Sequence, residues 1–149
     1  MPKKKASQST TSKNPKCQSE HLEQVGYVNW FRNRYPDKVI YAIPNGDMRS
    51  MTVAKKLVLE GVTAGVLDLE VLLEWGQTLR VEMKKVVGGV LSQEQKDFIS
   101  YLDDLGHHVI VGYGAADASA KTIAFFEWFY GEFVGKFGKN YVNTERVKR

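Results

Sequence analysis

Two neighbouring segments of this 149-residue chain alternate between apolar and charged residues, and this alternation strongly constrains the fold. They span residues 66–75 and 78–86 and are separated by Gly76-Gln77. A period of two is typical of β-strands with one buried face and one polar face. The charged face carries Asp68, Glu70 and Glu74 on the first strand and Arg80, Glu82 and Lys84 on the second. We therefore expect an antiparallel pair with these groups on one side.

The pairing register decides whether the charged groups share that side. A two-residue hairpin would set Glu82 and Lys84 opposite apolar residues and mix both faces. We therefore predict a three-residue turn or a β-bulge near residues 75–77. Asp68 would then lie opposite Lys84, and Glu70 opposite Glu82.

Asp68 and the Glu82-x-Lys84 pattern are chemically specific if the strands are buried. Buried charges are costly unless they compensate one another or share a cation. Asp68 and Glu82 offer hard oxygen ligands for Mg²⁺. Such an ion would polarise a phosphate and activate a water, while Lys84 orients that water or stabilises developing negative charge. The alternative is an exposed strand with ordinary ion pairs, and these three residues alone leave both possibilities open.

The patterns around the strand pair predict four helices and two more strands. Helices are expected over residues 19–34, 50–60, 92–105 and 116–133, and strands over 39–42 and 107–113. Ser19 can cap the first helix, and the third helix opens with Ser92-x-x-Gln95, which has the form of a capping box. The order α-β-α-β-β-α-β-α predicts a three-layer α/β domain with a mixed central sheet. We place this domain at residues 19–134, between a disordered basic tail (1–18) and a basic C-terminal tail (135–149).

The charge is unevenly spread along the chain. Residues 1–19 carry five lysines and no acid, and residues 132–149 carry three more basic than acidic residues. Since the whole chain has a net charge of +4, the middle is acidic by four charges. Basic ends around an acidic body suit a protein that grips a polyanion and holds cations, although they suit solubility equally well.

The composition also excludes several classes of protein. Cys17 is the only cysteine, so there is no disulfide framework and no cysteine-based zinc site. No stretch is apolar enough to span a bilayer, and no signal peptide is visible. We expect a soluble, cytoplasmic protein that does not bind membranes.

An ordered set of motifs resembles the VRR-NUC family of the PD-(D/E)XK nuclease superfamily. The set comprises Glu20-x-x-Glu23-Gln24, Pro44-Asn45-Gly46, Gly61-Val62-x-x-Gly65-Val66-x-Asp68-Leu69, Glu82-Met83-Lys84, Leu91-Ser92-x-Glu94-Gln95 and Gly106-His107-His108-Val109. The match covers roughly residues 19–126. The family usually has proline directly before the aspartate, whereas this chain has Leu67, which puts the local strand geometry in doubt more than metal binding.

The resemblance implies a restriction-endonuclease-like fold with a metal site. Asp68 and Glu82 would be metal ligands for Mg²⁺ or Mn²⁺, with the backbone carbonyl of Met83 as a third. Lys84 would be the catalytic lysine.

Two further site residues follow from the resemblance, and each also has a purely structural explanation. Glu20 matches the family's early glutamate, which completes the metal site from across the sheet. It could equally be an acid favoured by the helix dipole. Gln95 matches a glutamine that helps to position the site, and it is also the capping-box partner of Ser92. Both roles of Gln95 can hold at once.

We therefore predict a metal-dependent DNA endonuclease. By family analogy the substrate is branched DNA, as for Holliday-junction resolvases, and the protein is a homodimer. An aromatic-rich last helix, with aromatic residues around much of its surface, is consistent with a second subunit. The alternatives are a general or restriction-like duplex nuclease and a non-cleaving DNA-binding module on the same fold.

Overall fold

The computed structural model describes residues 17–44 and 51–138. The regular elements are α1 (Glu20–Arg34), β1 (Ile40–Ala42), α2 (Met51–Leu59), β2 (Leu69–Leu72), β3 (Thr78–Lys84), α3 (Gln93–Asp104), β4 (His108–Tyr113) and α4 (Ala115–Trp128). A π-helical segment, Phe129–Gly138, continues α4. The tails at residues 1–16 and 139–149, the loop at 45–47 and the predicted helix start at Ser50 lie outside the described residues. None of the described helices is long and apolar enough to cross a membrane.

The four strands form one mixed sheet in the order β1-β2-β3-β4. The first two pairings are antiparallel, and β3 pairs with β4 in parallel through the α3 crossover. Helices α1 and α4 cover one face, where Tyr27, Phe31 and Phe126 pack with Val81 and Met83. Helix α3 lies on the other face, as its contact with Glu82 described below requires. The predicted order of elements and the three-layer mixed α/β architecture are confirmed.

Alternation along β2 and β3 sorts their side chains as predicted. Leu69, Val71, Leu79, Val81 and Met83 all belong to the core between the sheet and α1 and α4. The charged residues of β2 and β3 therefore share the opposite face. The sheet thus separates the groups that stabilise the fold from those that can carry chemistry.

The register between β2 and β3 differs from the predicted one by two residues. Glu70 lies opposite Arg80, not Glu82, and forms an ion pair with it at 2.8 Å. The expected pairing of Asp68 with Lys84 is therefore wrong, although all charged groups still share one face. The observed register avoids two glutamates in direct opposition and replaces them with an opposite-charge pair, which is the more stable arrangement.

The shift arises because the connection between the strands is longer than a three-residue turn. It runs from Leu73 to Gln77, and the 3₁₀ turn Glu74–Gly76 lies inside it. Trp75 adopts a positive φ of 58° there and packs against Phe129. The connection also shortens β2 at its C-terminal end relative to the predicted segment.

The ends of the helices follow the predicted caps. Ser19 accepts a hydrogen bond from the backbone N–H of Leu22 at the start of α1. The capping box of Ser92 and Gln95 is complete at the start of α3. The last helix begins at Ala115, near the predicted position, but ends as an α-helix at Trp128.

A buried hydrogen bond joins α1 to α4 in the core. The Thr122 hydroxyl donates to the carbonyl of Ala118 at 2.8 Å, so it must accept from the Tyr27 hydroxyl, also at 2.8 Å. Burial raises the pKa of Tyr27 to about 12. The hydrogen bond between α1 and α4 is therefore donated by a neutral Tyr27 phenol to one polar partner, Thr122.

Replacing Thr122→Val should destabilise the protein by about 2 kcal/mol, because the Tyr27 hydroxyl remains buried without a partner. Urea unfolding measures the change. The Tyr27→Phe/Thr122→Val double variant should lose less than the sum of the two single variants, since it leaves no orphaned hydroxyl. Strict additivity would contradict this account of the α1–α4 contact.

Candidate active site

Six residues predicted from the sequence meet near one end of the sheet. Their elements converge there: Glu20 is the first residue of α1, Asp68 precedes β2, Glu82, Met83 and Lys84 end β3, and Gln95 lies in the first turn of α3. Hydrogen bonds and one longer ion pair connect them directly. The geometry thus brings together residues separated by up to 75 positions in the sequence.

Asp68 lies where β2 leaves the ladder. Its carboxylate accepts a hydrogen bond from the backbone N–H of Met83 at 2.8 Å. In an antiparallel ladder the carbonyl of a residue faces the same neighbouring strand as its N–H, so the Met83 carbonyl also faces β2. Burial raises the pKa of Asp68, although the Met83 N–H and Lys84 act in the opposite direction.

The Glu82 carboxylate is fully buried, with 0% of the residue exposed. One oxygen, Oε1, accepts from Lys84 Nζ at 2.6 Å and from the side-chain amide of Gln95. The other oxygen, Oε2, is buried and has no hydrogen-bond partner among the described residues. Burial raises the pKa of Glu82 to about 7, and the nearby negative charge of Asp68 adds to this effect.

Lys84 is buried on the same face and bridges two carboxylates. Besides its contact with Glu82, its Nζ lies 3.5 Å from Oε1 of Glu20, whose side chain is partly exposed. Burial by itself would lower the pKa of Lys84, but the hydrogen bond to Glu82 and the negative charges of Glu82, Glu20 and Asp68 together outweigh it, and the pKa is raised. The lysine is therefore an ammonium group throughout the neutral range.

Gln95 makes the contacts that both of its predicted roles require. Its Oε1 accepts from the Ser92 backbone N–H at 3.0 Å, and its own backbone N–H donates to the Ser92 hydroxyl at 3.2 Å. Its Nε2 is then directed to Glu82. The capping box thus holds the amide in the one orientation that donates to the carboxylate.

The sequence reasoning did not assign a role to Glu23. It is buried on α1, and its Oε2 accepts from the backbone N–H of Ala115 at 2.8 Å, which caps α4 from another helix. The adjacent Gly114 N–H donates to the carbonyl of Lys84 at 2.7 Å. A signal was present, because Glu23 lies four residues before Tyr27 and eight before Phe31, on the apolar stripe of α1.

A second feature that the reasoning missed is a polar row across the sheet. Glu70 accepts from the Tyr41 hydroxyl at 2.6 Å and pairs with Arg80 at 2.8 Å. The row lies on the same face as Glu82, two residues earlier along β3. It keeps the charges next to the site paired.

The chemistry of the donor set fits a divalent cation. The charges that act on Glu82 are those of Asp68, Glu20 and Lys84, so three carboxylates face one ammonium. Full ionisation leaves an excess of two negative charges, and Glu82 Oε2 has a free lone pair. Among the described residues no three acidic, histidine or cysteine side chains form a complete cage. Mg²⁺ commonly uses one or two carboxylates with waters and phosphate oxygens, which Asp68 and Glu82 can supply.

The fold has a counterpart among solved structures. A structure described as a "VRR_NUC domain protein" superposes with a TM-score of 0.61 over 76% of this chain and 92% of that chain, with 22% sequence identity. This chain has the VRR_NUC fold. The predicted restriction-endonuclease-like architecture is thereby confirmed, and the resemblance read from the motifs is supported at the level of the fold. No protein-family model and no curated protein matches the chain.

Glu82 should make the metal-free protein less stable as the pH rises. Its folded-state pKa of about 7 lies above the unfolded value of 4.5. Between these values the folded state holds a proton that the unfolded state lacks, so stability falls as the pH rises through this window. Glu82→Gln removes the titration and should be more stable than wild type by roughly 2–3 kcal/mol at pH 8, with little difference at pH 4.5. Urea unfolding in EDTA measures this.

The exposed Glu60→Gln is the matched control and should follow the wild-type pH profile. Added Mg²⁺ should raise the thermal midpoint of wild type at pH 8 and leave Glu82→Gln unchanged. Parallel pH profiles for wild type and Glu82→Gln would show that the buried carboxylate does not titrate in this range.

Proposed function

We propose that this chain is a Mg²⁺- or Mn²⁺-dependent DNA endonuclease of the VRR-NUC kind that hydrolyses phosphodiester bonds. The observation that supports it best is the convergence of Asp68, Glu82, Lys84 and Gln95 around a buried carboxylate oxygen without a partner, on the VRR_NUC fold. Nothing in the packing of the core requires this arrangement, because its charged groups lie on the sheet face opposite the core.

Each residue has a role that its contacts allow. Asp68 and Glu82 would hold the metal, with the Met83 carbonyl as a third ligand and Glu20 at the open side. When bound, the ion supplies Lewis-acid activation of the phosphate and of an attacking water. Lys84 is held as an ammonium by Glu82 and stabilises the negative charge that develops on the phosphate.

Gln95 acts on the reaction through Glu82. Its amide occupies Oε1 together with Lys84, which leaves Oε2 as the oxygen free to face a cation. Because the capping box fixes the amide, the carboxylate is held in one orientation before any ligand arrives. Such preorganisation is what a metal site requires of its surroundings.

A non-cleaving DNA-binding module on the same fold fits these observations less well. Buried ionic groups are commonly less stabilising than apolar residues of similar volume. A module without catalysis would gain nothing from Glu82 at 0% exposure or from a buried Lys84. A general duplex nuclease would use the same site, so it differs from our proposal only in the DNA that it prefers.

Branched DNA and a homodimer complete the proposal. Of the aromatic residues on the last helix and its π-helical continuation, Phe126 and Phe129 are buried within the chain, whereas Trp128 is 42% and Tyr130 40% exposed. The edge strand β1 offers a second surface for a dimer contact. Beside it, a groove between α1 and β1 is lined by apolar residues, among them Val25, Val28 and Ile40, and by polar residues that include Arg32. A sheet edge presents backbone N–H and C=O groups with which another chain can pair, and β1 presents those of three residues.

Asp68→Asn and Lys84→Met should each lower DNA nicking by at least about 100-fold, because each removes a group that acts on the reacting phosphate. Labelled linear duplex incubated with Mg²⁺, Mn²⁺ or EDTA measures the rate. Lys121→Met, which removes an exposed lysine paired with Asp117, is the matched control and should nick at the wild-type rate. Cleavage that survives EDTA or either site variant would overturn the metal-site proposal.

The wild-type protein should cut a four-way junction or a flap at least about tenfold faster than linear duplex of the same sequence, because we expect it to recognise the shape and the backbone of the DNA. Equal rates on all three substrates would favour the general duplex nuclease instead.

Light scattering should give the mass of two chains for the wild-type protein and of one chain for Val25→Glu, since a negative charge in the groove opposes association. A wild-type mass of one chain would remove the dimer from the proposal.

A further inference from the structure

The connection between β3 and α3 exposes apolar side chains beside the candidate active site. We name residues 85–91 the valine turn. Val87 is 66% exposed and Val90 is 73% exposed, and Lys85 next to them is exposed as well. Val86 is 58% exposed as well. Three exposed valines and a lysine within six residues form more apolar surface than a connection needs in order to link a strand to a helix.

Both ends of the valine turn are held at the same carboxylate. Lys84, immediately before it, contacts Glu82 at 2.6 Å, and Gln95, just after it, donates to the same oxygen. At about 3.3 Å per residue, Val87 lies within roughly 10 Å of Lys84 along the chain. The exposed valines therefore flank the position where a phosphate would be cut.

The turn is rigidly seated on the site. A Cβ atom placed on Gly89 would lie 2.4 Å from the carbonyl oxygen of Lys85 and 2.9 Å from Cβ of Lys84, so only glycine permits this approach. Val86 packs on the backbone of Gly114. A Cβ atom added to Gly114 would lie 2.5 Å from Cγ2 of Val86. Since the base of the turn is packed in this way, the backbone that carries Val87 and Val90 is anchored beside the site.

The chemistry of the turn identifies what it can contact. A nucleic acid bound at Lys84 offers phosphates, which Lys85 can attract, and the apolar faces of sugars and bases, which the valines can cover. Successive nucleotides of one strand rise by about 3.4 Å, so the nucleotides next to the cut lie within reach. A contact made only to the phosphate backbone would have no use for apolar side chains.

We propose that the valine turn presses against the base or sugar of a nucleotide beside the scissile phosphate and favours DNA that is unstacked there. This inference rests on the proposed nuclease function and adds the structural element that selects the substrate. Apolar wedges unstack neighbouring bases at a cost that is smallest where bases are already unpaired. Flaps and gaps carry unpaired bases, and a junction interrupts the stacking at its branch point, whereas continuous duplex does neither.

The Val87→Thr/Val90→Thr double variant tests the proposal, because it keeps the side-chain shape at two exposed positions and replaces a methyl with a hydroxyl group. On continuous duplex the double variant should nick about tenfold more slowly than wild type. On duplex with a two-nucleotide gap beside the mapped cut, its nicking rate should fall by less than about threefold. 2-Aminopurine placed next to the cut reports unstacking directly. With Ca²⁺ instead of Mg²⁺, wild type should raise its fluorescence in continuous duplex, and the double variant should not.

Val39→Thr is the matched control, since Val39 is another exposed valine, with 56% of its surface accessible. Its carbonyl accepts a hydrogen bond from the backbone N–H of Leu72, at the end of β2 away from Asp68. It should behave as wild type in both assays. Equal loss of nicking on both substrates, or an unchanged fluorescence response, would overturn the proposal while leaving the nuclease function intact. A changed molecular mass of the double variant would show that the turn is a subunit contact and would also overturn it. Absence of nicking by wild type on every substrate would refute the nuclease function itself, and the proposal with it.

Discussion

Withdrawing the Glu82 carboxylate from solvent is costly, and the surrounding structure is organised around that cost. One oxygen is neutralised by Lys84 and the Gln95 amide, and the other has no partner among the described residues. A buried anion that is only half satisfied binds a proton more readily, which is why the pKa of Glu82 rises to about 7. The same imbalance makes the position attractive to a cation. The metal affinity that we propose and the loss of stability that we predict for the metal-free protein at high pH therefore have a single physical origin.

The elements around this carboxylate combine structural and site roles in the same atoms. The capping box begins α3 and also aims the Gln95 amide at Glu82. Asp68 ends the antiparallel ladder by accepting the Met83 N–H, and it thereby comes to lie beside the end of β3. Glu23 ties α1 to the start of α4, next to the backbone of Lys84. A site assembled from such dual contacts is rigid without needing packing of its own.

The two faces of the sheet explain why so much of this could be predicted. Alternation in β2 and β3 required one apolar and one charged face, and only an odd-length connection or a β-bulge keeps those faces separate. The parity of the register was therefore predictable, but the register itself was not. It depended on the 3₁₀ turn at Glu74–Gly76 and on Trp75 packing against Phe129, a contact between residues more than 50 positions apart. That long-range contact has no local signal in the sequence.

By itself, the sequence determined the order of elements, the capping residues Ser19 and Ser92, the sorting of side chains on the strands and the set of residues that meet at the candidate site. These depend on local periodicity and on short-range hydrogen bonds, which a one-dimensional pattern records. Only the tertiary structure decided that Glu70 pairs with Arg80, that Glu23 caps another helix and that Glu82 keeps one oxygen without a partner. Each of these depends on which distant groups fill the space around a side chain, and burial of that kind arises only when the whole domain has folded.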